Sequence, residues 1–227
     1  MIKQKKHGQL IVVSGPSGAG KDTIISKVAE NNKNTWISVS ATSRKIRKGE
    51  EEGINYFYFT KEEFEEKINE DYFLEYAEYA ENYYGTPKEK VIEKIHKGID
   101  VILVIEIEGA KKIKELIPDA LFIFIMPPSE KDLLKRLTAR KTENKDKIIE
   151  RFNIAYKEIN EVTKYNYVVV NDKIDDTVDK VSSIIKAEKC RVDRIEDVLV
   201  ANKEELIHEL LMEEEFNNKK LGEKLWK

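Results

Sequence analysis

The chain reads as an α/β protein, a P-loop core in which a parallel sheet carries helices on both faces. Three observations lead there. Short apolar runs, Leu10–Val13, Val101–Ile105, Leu121–Ile125 and Tyr167–Val170, alternate with longer segments of helical periodicity, the order expected of a repeated βα unit. The runs are continuous in their apolar character, which suits strands buried on both sides. The first breaks directly into Gly15-Pro16-Ser17-Gly18-Ala19-Gly20-Lys21-Asp22-Thr23, and Thr23–Val28 follows with apolar residues at helical spacing, giving strand, loop and helix in succession.

That loop is a phosphate cradle. Gly15, Gly18 and Gly20 allow φ angles and a closeness of approach that a Cβ would block, so successive backbone N–H groups can converge on phosphate oxygens at a helix N-terminus. Lys21 adds a mobile positive charge. The usual pattern places Ser or Thr after the lysine, where a hydroxyl helps to hold magnesium, but here the residue is Asp22.

Length and composition bound the rest. At 227 residues the chain can bury a substantial core, enough for one large α/β domain with small inserts. A net charge of −3 argues against a nucleic-acid binder, which would carry a basic excess. The acid excess sits in the tail, since residues 187–227 hold 11 acids against 8 bases. Cys190 is the only cysteine, which excludes an intrachain disulfide and disfavours a cysteine metal site. The three histidines, His7, His96 and His208, are scattered. Met1–Lys6 is basic, but the apolar run after it is too short for a signal-peptide core, and no apolar segment approaches the length of a membrane span. A cytoplasmic protein without a membrane partner is expected.

Taken in order, Thr35–Val39 reads as the second strand, leading into Ser40-Ala41-Thr42-Ser43-Arg44-Lys45-Ile46-Arg47. Two arginines three apart after a strand end suit a bidentate anion site, although a solvated basic loop has the same composition. Tyr56–Phe59 reads as a strand, and Thr60 with Glu63 forms a capping box for a helix over Lys61–Ile68. Tyr72–Tyr79 and Asn82–Pro87, with a turn near Ala80-Glu81-Asn82, predict a small antiparallel sheet inserted between the second and third core strands. Pro87 then opens a helix to about Lys97. Glu106 ends the Val101–Ile105 strand, and Ala110–Ile117 is helical. Ser129 caps a helix whose apolar side carries Leu133, Leu134 and Leu137 and whose polar side carries Lys135, Arg136 and Arg140. The polar stretch Lys141–Asp146 suits a mobile lid, Ile148–Val162 is helical, and the Tyr167–Val170 strand leads to a helix over Asp175–Lys189. In an open parallel sheet, ligands bind at the carboxyl ends of the strands. The glycine loop, Arg44, Glu106 and Asn171 all lie at such ends, so four stretches point to one crevice.

From about residue 8 to residue 187 the sequence resembles the guanylate kinase family. The likeness rests on Gly15–Lys21, Ser43–Glu50, Asn55-Tyr56-Phe57, Phe73-Leu74-Glu75, Asn82–Thr86, Pro127-Pro128-Ser129 and Val170-Asn171-Asp172. It implies phosphoryl transfer from ATP to GMP, and to dGMP, with Mg2+ as cofactor. It also implies a core over residues 1–39 and 88–187, a lid at about 137–152 and a GMP-binding insert over 40–87; residues 188–227, read as a C-terminal helical extension, lie outside the resemblance. Carried over by position, Arg44, Arg47, Tyr56 and Tyr84 would hold the GMP phosphate, while Ser40, Glu75, Thr86 and Glu106 would face the guanine. The ATP side would use Gly15, Pro16, Ser17, Gly18, Ala19, Gly20, Lys21, Asp22 and Thr23, with Asn171 near the adenine. Lys21, Arg44, Arg136, Arg140 and Arg151 would neutralise the charge of the transferring group. Guanine chemistry agrees independently, because N1–H and N2–H donors beside the O6 acceptor call for a carboxylate next to a hydroxyl, and adenine would leave a buried carboxylate unpaired.

Two departures from the family pattern stand out. Asp22 replaces the usual hydroxyl residue, and Val104 replaces an acid usually found two residues before the position of Glu106. Either Asp22 supplies from the loop the magnesium-directed carboxylate that the strand lacks, or it caps the helix and weakens ATP binding by repulsion. Glu108 and Lys141 are lesser departures. Two other readings are a ribose 1,5-bisphosphate phosphokinase, which shares Asp after the loop lysine, and the non-catalytic peptide-binding modules related to guanylate kinases, which typically lose the loop or its lysine. The extension carries a stripe of Leu206, Ile207, Leu210 and Leu211 after Val192, Ile195 and Leu199. It is expected to pack on the core or to join a homo-oligomer, with a regulatory role as the alternative.

Overall fold

The structure, a computed structural model, describes residues 2–4, 7–79, 81–138 and 145–198. They fall into two compact units, the larger spanning Lys6–Ile185 and the smaller joining the N-terminal five residues to those from Lys186 onward. In the smaller unit, β1 (Ile2–Gln4) pairs antiparallel with the last described strand, Ile195–Val198. Within the extension, expected to be helical, a 3-10 turn over Val192–Arg194 therefore leads into a strand. In Ile195-Glu196-Asp197-Val198 two apolar residues flank two acids, a pattern too short to mark a strand by itself, and the edge offered by Ile2–Gln4 supplies its partner. The Leu206–Leu211 stripe lies outside the described residues.

The larger unit begins with β2 (Leu10–Ser14), the phosphate loop and α1 (Lys21–Asn31). Next come β3 (Thr35–Ile37), β4 (Ala41–Thr42), β5 (Phe57–Tyr58) and α2 (Lys61–Asn69). A hairpin of β6 (Phe73–Tyr79) and β7 (Asn82–Pro87) runs into α3 (Lys88–His96). The core resumes with β8 (Asp100–Val104), α4 (Ile107–Leu116), β9 (Leu121–Met126) and α5 (Glu130–Thr138). It ends with α6 (Lys145–Ile159), a 3-10 turn over Asn160–Lys164, β10 (Tyr167–Val170) and α7 (Ile174–Glu188). Among the described residues no helix is long and apolar enough to cross a membrane.

Five parallel strands form the main sheet in the order β10-β9-β2-β8-β3. The strand period of two divides its interior between two faces. Ile11 and Val13 join Ile24, Val28, Val181 and Ile185 on one side. Leu10 and Val12 join Val91, Leu103, Ile113 and Phe122 on the other. Each fully buried side chain of this kind contributes about 1.5–3 kcal/mol. One strand departs from the expectation of burial on both faces: Tyr167, Val168 and Val170 of β10 are exposed. The reason is position, because β10 is a sheet edge that pairs only with β9.

The insert between β3 and β8 has its own four-stranded sheet in the order β5-β4-β7-β6. It is mixed where a purely antiparallel sheet was expected, since β4 runs parallel to β5 and antiparallel to β7. The expected strand Tyr56–Phe59 shortens to Phe57–Tyr58, and Pro87 closes β7 and caps α3 from outside, with φ −59° and ψ 123°. The Thr60–Glu63 capping box is present on both sides, with bonds of 2.7 and 3.1 Å. Phe64 anchors the insert's core, its ring stacked 4.3 Å from Phe73 and 5.3 Å from Tyr83.

Because Phe64 is wholly buried, Phe64→Ala should destabilise the protein by about 3–5 kcal/mol, measured as a lowered midpoint in urea unfolding. A change of under about 1 kcal/mol would place the insert's stability elsewhere.

Candidate active site

The phosphate loop is shaped by contacts that only glycine permits at two positions. A Cβ on Gly15 (φ +150°) would lie 2.1 Å from the Ile125 carbonyl, and one on Gly20 (φ +91°) 2.5 Å from the Asn171 amide nitrogen. The loop can therefore lie directly on the ends of β9 and β10. Ala19 N–H donates to Pro16 O at 3.0 Å, closing the turn, and Lys21 Nζ donates to Gly15 O at 2.6 Å across its mouth. Asp22 and Thr23 are exposed in the first turn of α1.

Three side chains grip the loop from behind. Asn171 donates to Ala19 O at 2.8 Å and accepts from Thr177 Oγ1 at 3.3 Å, so its amide supports the loop backbone. Arg136 donates to Ala19 O at 3.2 Å and to Asn171 O at 2.9 Å, tying α5 to the same place. Arg151 donates to Ser17 Oγ at 2.7 Å from α6. Arg140 and residues 139–144 of the expected lid lie outside the described residues, and the remainder of that segment belongs to α5 and α6.

Across from the loop, a cleft of about 420 Å³, open to solvent, is lined by Ser40, Tyr56, Glu75, Tyr84, Glu106 and Gly109 among others. The register of β6 and β7 sets Glu75 directly opposite Thr86. Thr86 Oγ1 donates to Glu75 Oε1 at 2.7 Å, in a buried cross-strand pair. Burial pushes the Glu75 carboxyl up to about 7, against the pull of Thr86 and Lys112. Glu106 precedes α4, and one of its carboxylate oxygens is buried with no hydrogen-bond partner among the described residues. An acid so placed suits a ligand that brings its own donors.

At the cleft's rim the Arg44 fork meets Glu50 through bonds of 3.0 and 2.8 Å. Glu50 also accepts from Arg47 N–H at 2.8 Å and from Tyr58 OH at 2.9 Å. The Arg44 bond first, and the Arg47 and Tyr58 bonds with it, hold the Glu50 carboxyl down at about 2. The Arg44 guanidinium lies 5.4 Å from the Tyr56 ring, which meets Tyr84 edge-on at 6.1 Å. Arg44, Tyr56 and Tyr84 are thus gathered at one place, whereas the Arg47 side chain is exposed in the turn beside them. Burial, with the Asp22 charge next, pushes the Tyr56 hydroxyl up to about 12, so Asp22 is felt within the cleft.

Three contributors were missed in the sequence. Glu50 orders Arg44; it ends the Ser43–Glu50 motif but was given no role there. Tyr79 lines the cleft near Glu106 and Glu158. Glu158 lies on α6 seven residues after Arg151, a spacing that puts both on one helix face and could have revealed it. Burial pushes the Glu158 carboxyl up to about 7 and Glu106 adds to this, while Lys21 and the Ser17 backbone N–H pull it back.

A glycine loop on the first parallel strand, facing a separate acid-and-tyrosine cleft on an inserted sheet, defines a nucleoside monophosphate kinase of the P-loop class. The sequence model of the guanylate kinase family matches residues 7–188. The chain is 55% identical to a guanylate kinase of Clostridium tetani over 91% of its length and 99% of that protein, and 52% identical to one of Caldanaerobacter subterraneus over 89% and 98%. Its fold matches a crystal structure of guanylate kinase from Anaplasma phagocytophilum with a TM-score of 0.73 and 33% identity, covering 92% of this chain and 99% of that one. The chain belongs to the guanylate kinase family.

A carboxyl raised by folding is stabilising when protonated, so its contribution is full below the unfolded pKa and is lost as pH rises through the folded value. For Glu158 that window runs from about 4.5 to about 7. Relative to the parent chain, Glu158→Gln should gain about 2–3 kcal/mol of stability between pH 4 and pH 8, read from urea unfolding at each pH. A difference independent of pH would show that Glu158 is not held in that raised state.

Proposed function

We propose that this chain transfers the γ-phosphoryl group of ATP to GMP, and to dGMP, in the cytoplasm, with magnesium as the divalent ion. The observation that carries the acceptor's identity is the buried Glu75–Thr86 pair in the cleft facing the phosphate loop. Ionised Glu75 accepts from guanine N1–H and N2–H. In the ligand-free arrangement the Thr86 proton points at Glu75, so donation to guanine O6 requires the hydroxyl to turn, which also frees Oε1 for a guanine donor. Ser40 and Glu106 complete the base site.

Residues 40–87 form the GMP-binding insert on a core of residues 1–39 and 88–187, with the lid at about 137–152. Arg44, Arg47, Tyr56 and Tyr84 take the GMP phosphate, which is already an anionic nucleophile and needs no general base. The loop from Gly15 to Thr23 takes the ATP phosphates, Lys21 lies against the β and γ groups, and Asn171 supports the loop beneath them. Arg136, Arg140 and Arg151 add positive charge from α5, the lid and α6. Phosphoryl transfer asks chiefly for alignment and charge neutralisation in a dry site, and closure of insert and lid excludes water.

Among the described residues no group of three or more acidic, histidine or cysteine side chains forms a metal cage. That suits magnesium, which typically binds through one or two carboxylates, waters and substrate phosphates. Asp22, exposed at the start of α1 and felt at Tyr56, is the carboxylate available on the loop, and Val104 in the cleft wall offers none. When bound, the ion would neutralise charge on the β and γ phosphates. Nucleic acid and membrane are not partners in this reading, and a homo-oligomer formed through the extension is compatible with it.

ADP release with GMP, dGMP, AMP, UMP and ribose 1,5-bisphosphate as acceptors tests the reaction: turnover with GMP and dGMP is expected, with kcat/KM for AMP lower by about 10⁴-fold. Lack of GMP-dependent turnover overturns it. Because Glu75 must be ionised, kcat/KM for GMP should fall about tenfold from pH 8 to pH 6, and Glu75→Gln should flatten that part of the profile; an unchanged profile removes Glu75 from the base site. Asp22→Ser should raise the magnesium concentration needed for half-maximal rate and for nucleotide-dependent thermal stabilisation, and adding Val104→Asp should lower both again. No shift in Asp22→Ser ends the compensation idea.

A further inference from the structure

Gly109 has no backbone reason to be glycine. It lies in the first turns of α4 with ordinary helical φ, where alanine is the better helix former. The side facing it explains the choice. A Cβ on Gly109 would stand 2.5 Å from Glu75 Oε2 and 3.1 Å from Glu75 Cδ, with the next nearest atom, Ile105 Cδ1, at an ordinary 3.4 Å. Both residues line the same cleft, and both are buried.

We infer that Gly109 is a specificity-determining position: by lacking a side chain it leaves the space in which the Glu75 carboxylate holds its base-reading geometry. The inference rests on the assignment of Glu75 to guanine. Any L side chain at 109 must displace Oε2, and a glutamate end is flexible enough to move. Its freedom is limited, however, because Oε1 is tied to Thr86 Oγ1 at 2.7 Å and β6 fixes the backbone opposite Thr86. Turning Oε2 out of the way therefore costs the Thr86 bond before the base arrives and, once the base is bound, tilts the carboxylate out of the plane in which it can face two guanine N–H groups at once. The fold would tolerate the change, and the base site would register it. The effect is selective, since the Glu75 carboxylate is hydrogen-bonded to Thr86 and, among the described residues, not to the phosphate loop or to Arg44. Gly109 acts through Glu75, so it is a positioning residue.

Steady-state kinetics of Gly109→Ala, Glu75→Ala and the double variant, with thermal midpoints for each, test this. Gly109→Ala should raise KM for GMP by about 10- to 100-fold, the penalty of misplacing a binding group by about an ångström, with KM for ATP within about twofold of the parent value. In the Glu75→Ala background the same substitution should add nothing to KM for GMP, because the clash partner has gone. An unchanged KM for GMP in Gly109→Ala, with Glu75→Ala impaired, overturns the inference and leaves the base site standing. An unimpaired Glu75→Ala overturns the base-site assignment and the inference together. Should Gly109→Ala lower the thermal midpoint, recovery of the midpoint in the double variant supports the clash, and a double variant as unstable as the single one overturns it.

Discussion

A carbonyl oxygen of β9 stands where a side chain on residue 15 would be. Because Gly15 leaves that space open, the loop after β2 settles onto the end of β9 instead of arching over it, and Gly20 repeats the device against Asn171. The consequences run outward. With the loop seated, Ala19 O comes within reach of both Asn171 and Arg136, and Ser17 Oγ within reach of Arg151. β10, α5 and α6 are thus fastened to the same few loop atoms. These three side chains use loop carbonyls and a hydroxyl and so take none of the backbone N–H groups an anion would need, although Ala19 N–H is already spent on Pro16 O and the Ser17 N–H on Glu158.

The site also contains charge that folding resists. Glu75 and Glu158 are both raised towards neutrality by burial, so each opposes folding at the pH where an ionised base reader is needed. A donor-rich base in the cleft would return to Glu75 the hydrogen bonds that water supplied in the unfolded chain. The same logic applies to Glu106, whose buried oxygen lacks a partner among the described residues. On the proposed reading, the stability that burying these carboxylates costs would be converted into discrimination, because a base lacking these donors would leave them poorly solvated.

Much of this was legible in the sequence. Continuous apolar runs located four of the five core strands, and the break of Leu10–Val13 into glycines located the loop, because both signals are local. The Thr60–Glu63 box was legible for the same reason. What escaped depends on distant segments meeting. The exposed face of β10 follows from its edge position, which no run of residues reports. Ile2–Gln4 pairs with Ile195–Val198, so neither strand could be judged alone. Glu50 and Glu158 looked like ordinary surface acids until folding gave one Arg44 and the other the underside of the loop. Gly109 fell before the helix read from Ala110; the structure puts it inside α4, and only the position of Glu75 gives it a reason.

The acceptor end shows how a binding site can be arranged before its ligand arrives. Arg44, the Arg47 backbone N–H and Tyr58 all donate to Glu50, so donors that would otherwise be flexible already converge on one anion. A phosphate entering this turn need not order them from solution, which reduces the entropy lost on binding, but it must compete with a bidentate carboxylate for the Arg44 fork. Selection then favours a ligand that offers more than an anion. On the proposed reading GMP does, because its base would reach Glu75 and Thr86, which strand register sets opposite each other, with the Glu75 carboxylate in the space that Gly109 leaves open. In that reading Glu50 would hold down affinity for phosphate alone and the base would restore it for the whole nucleotide, so the two ends of the cleft would together select what neither selects alone.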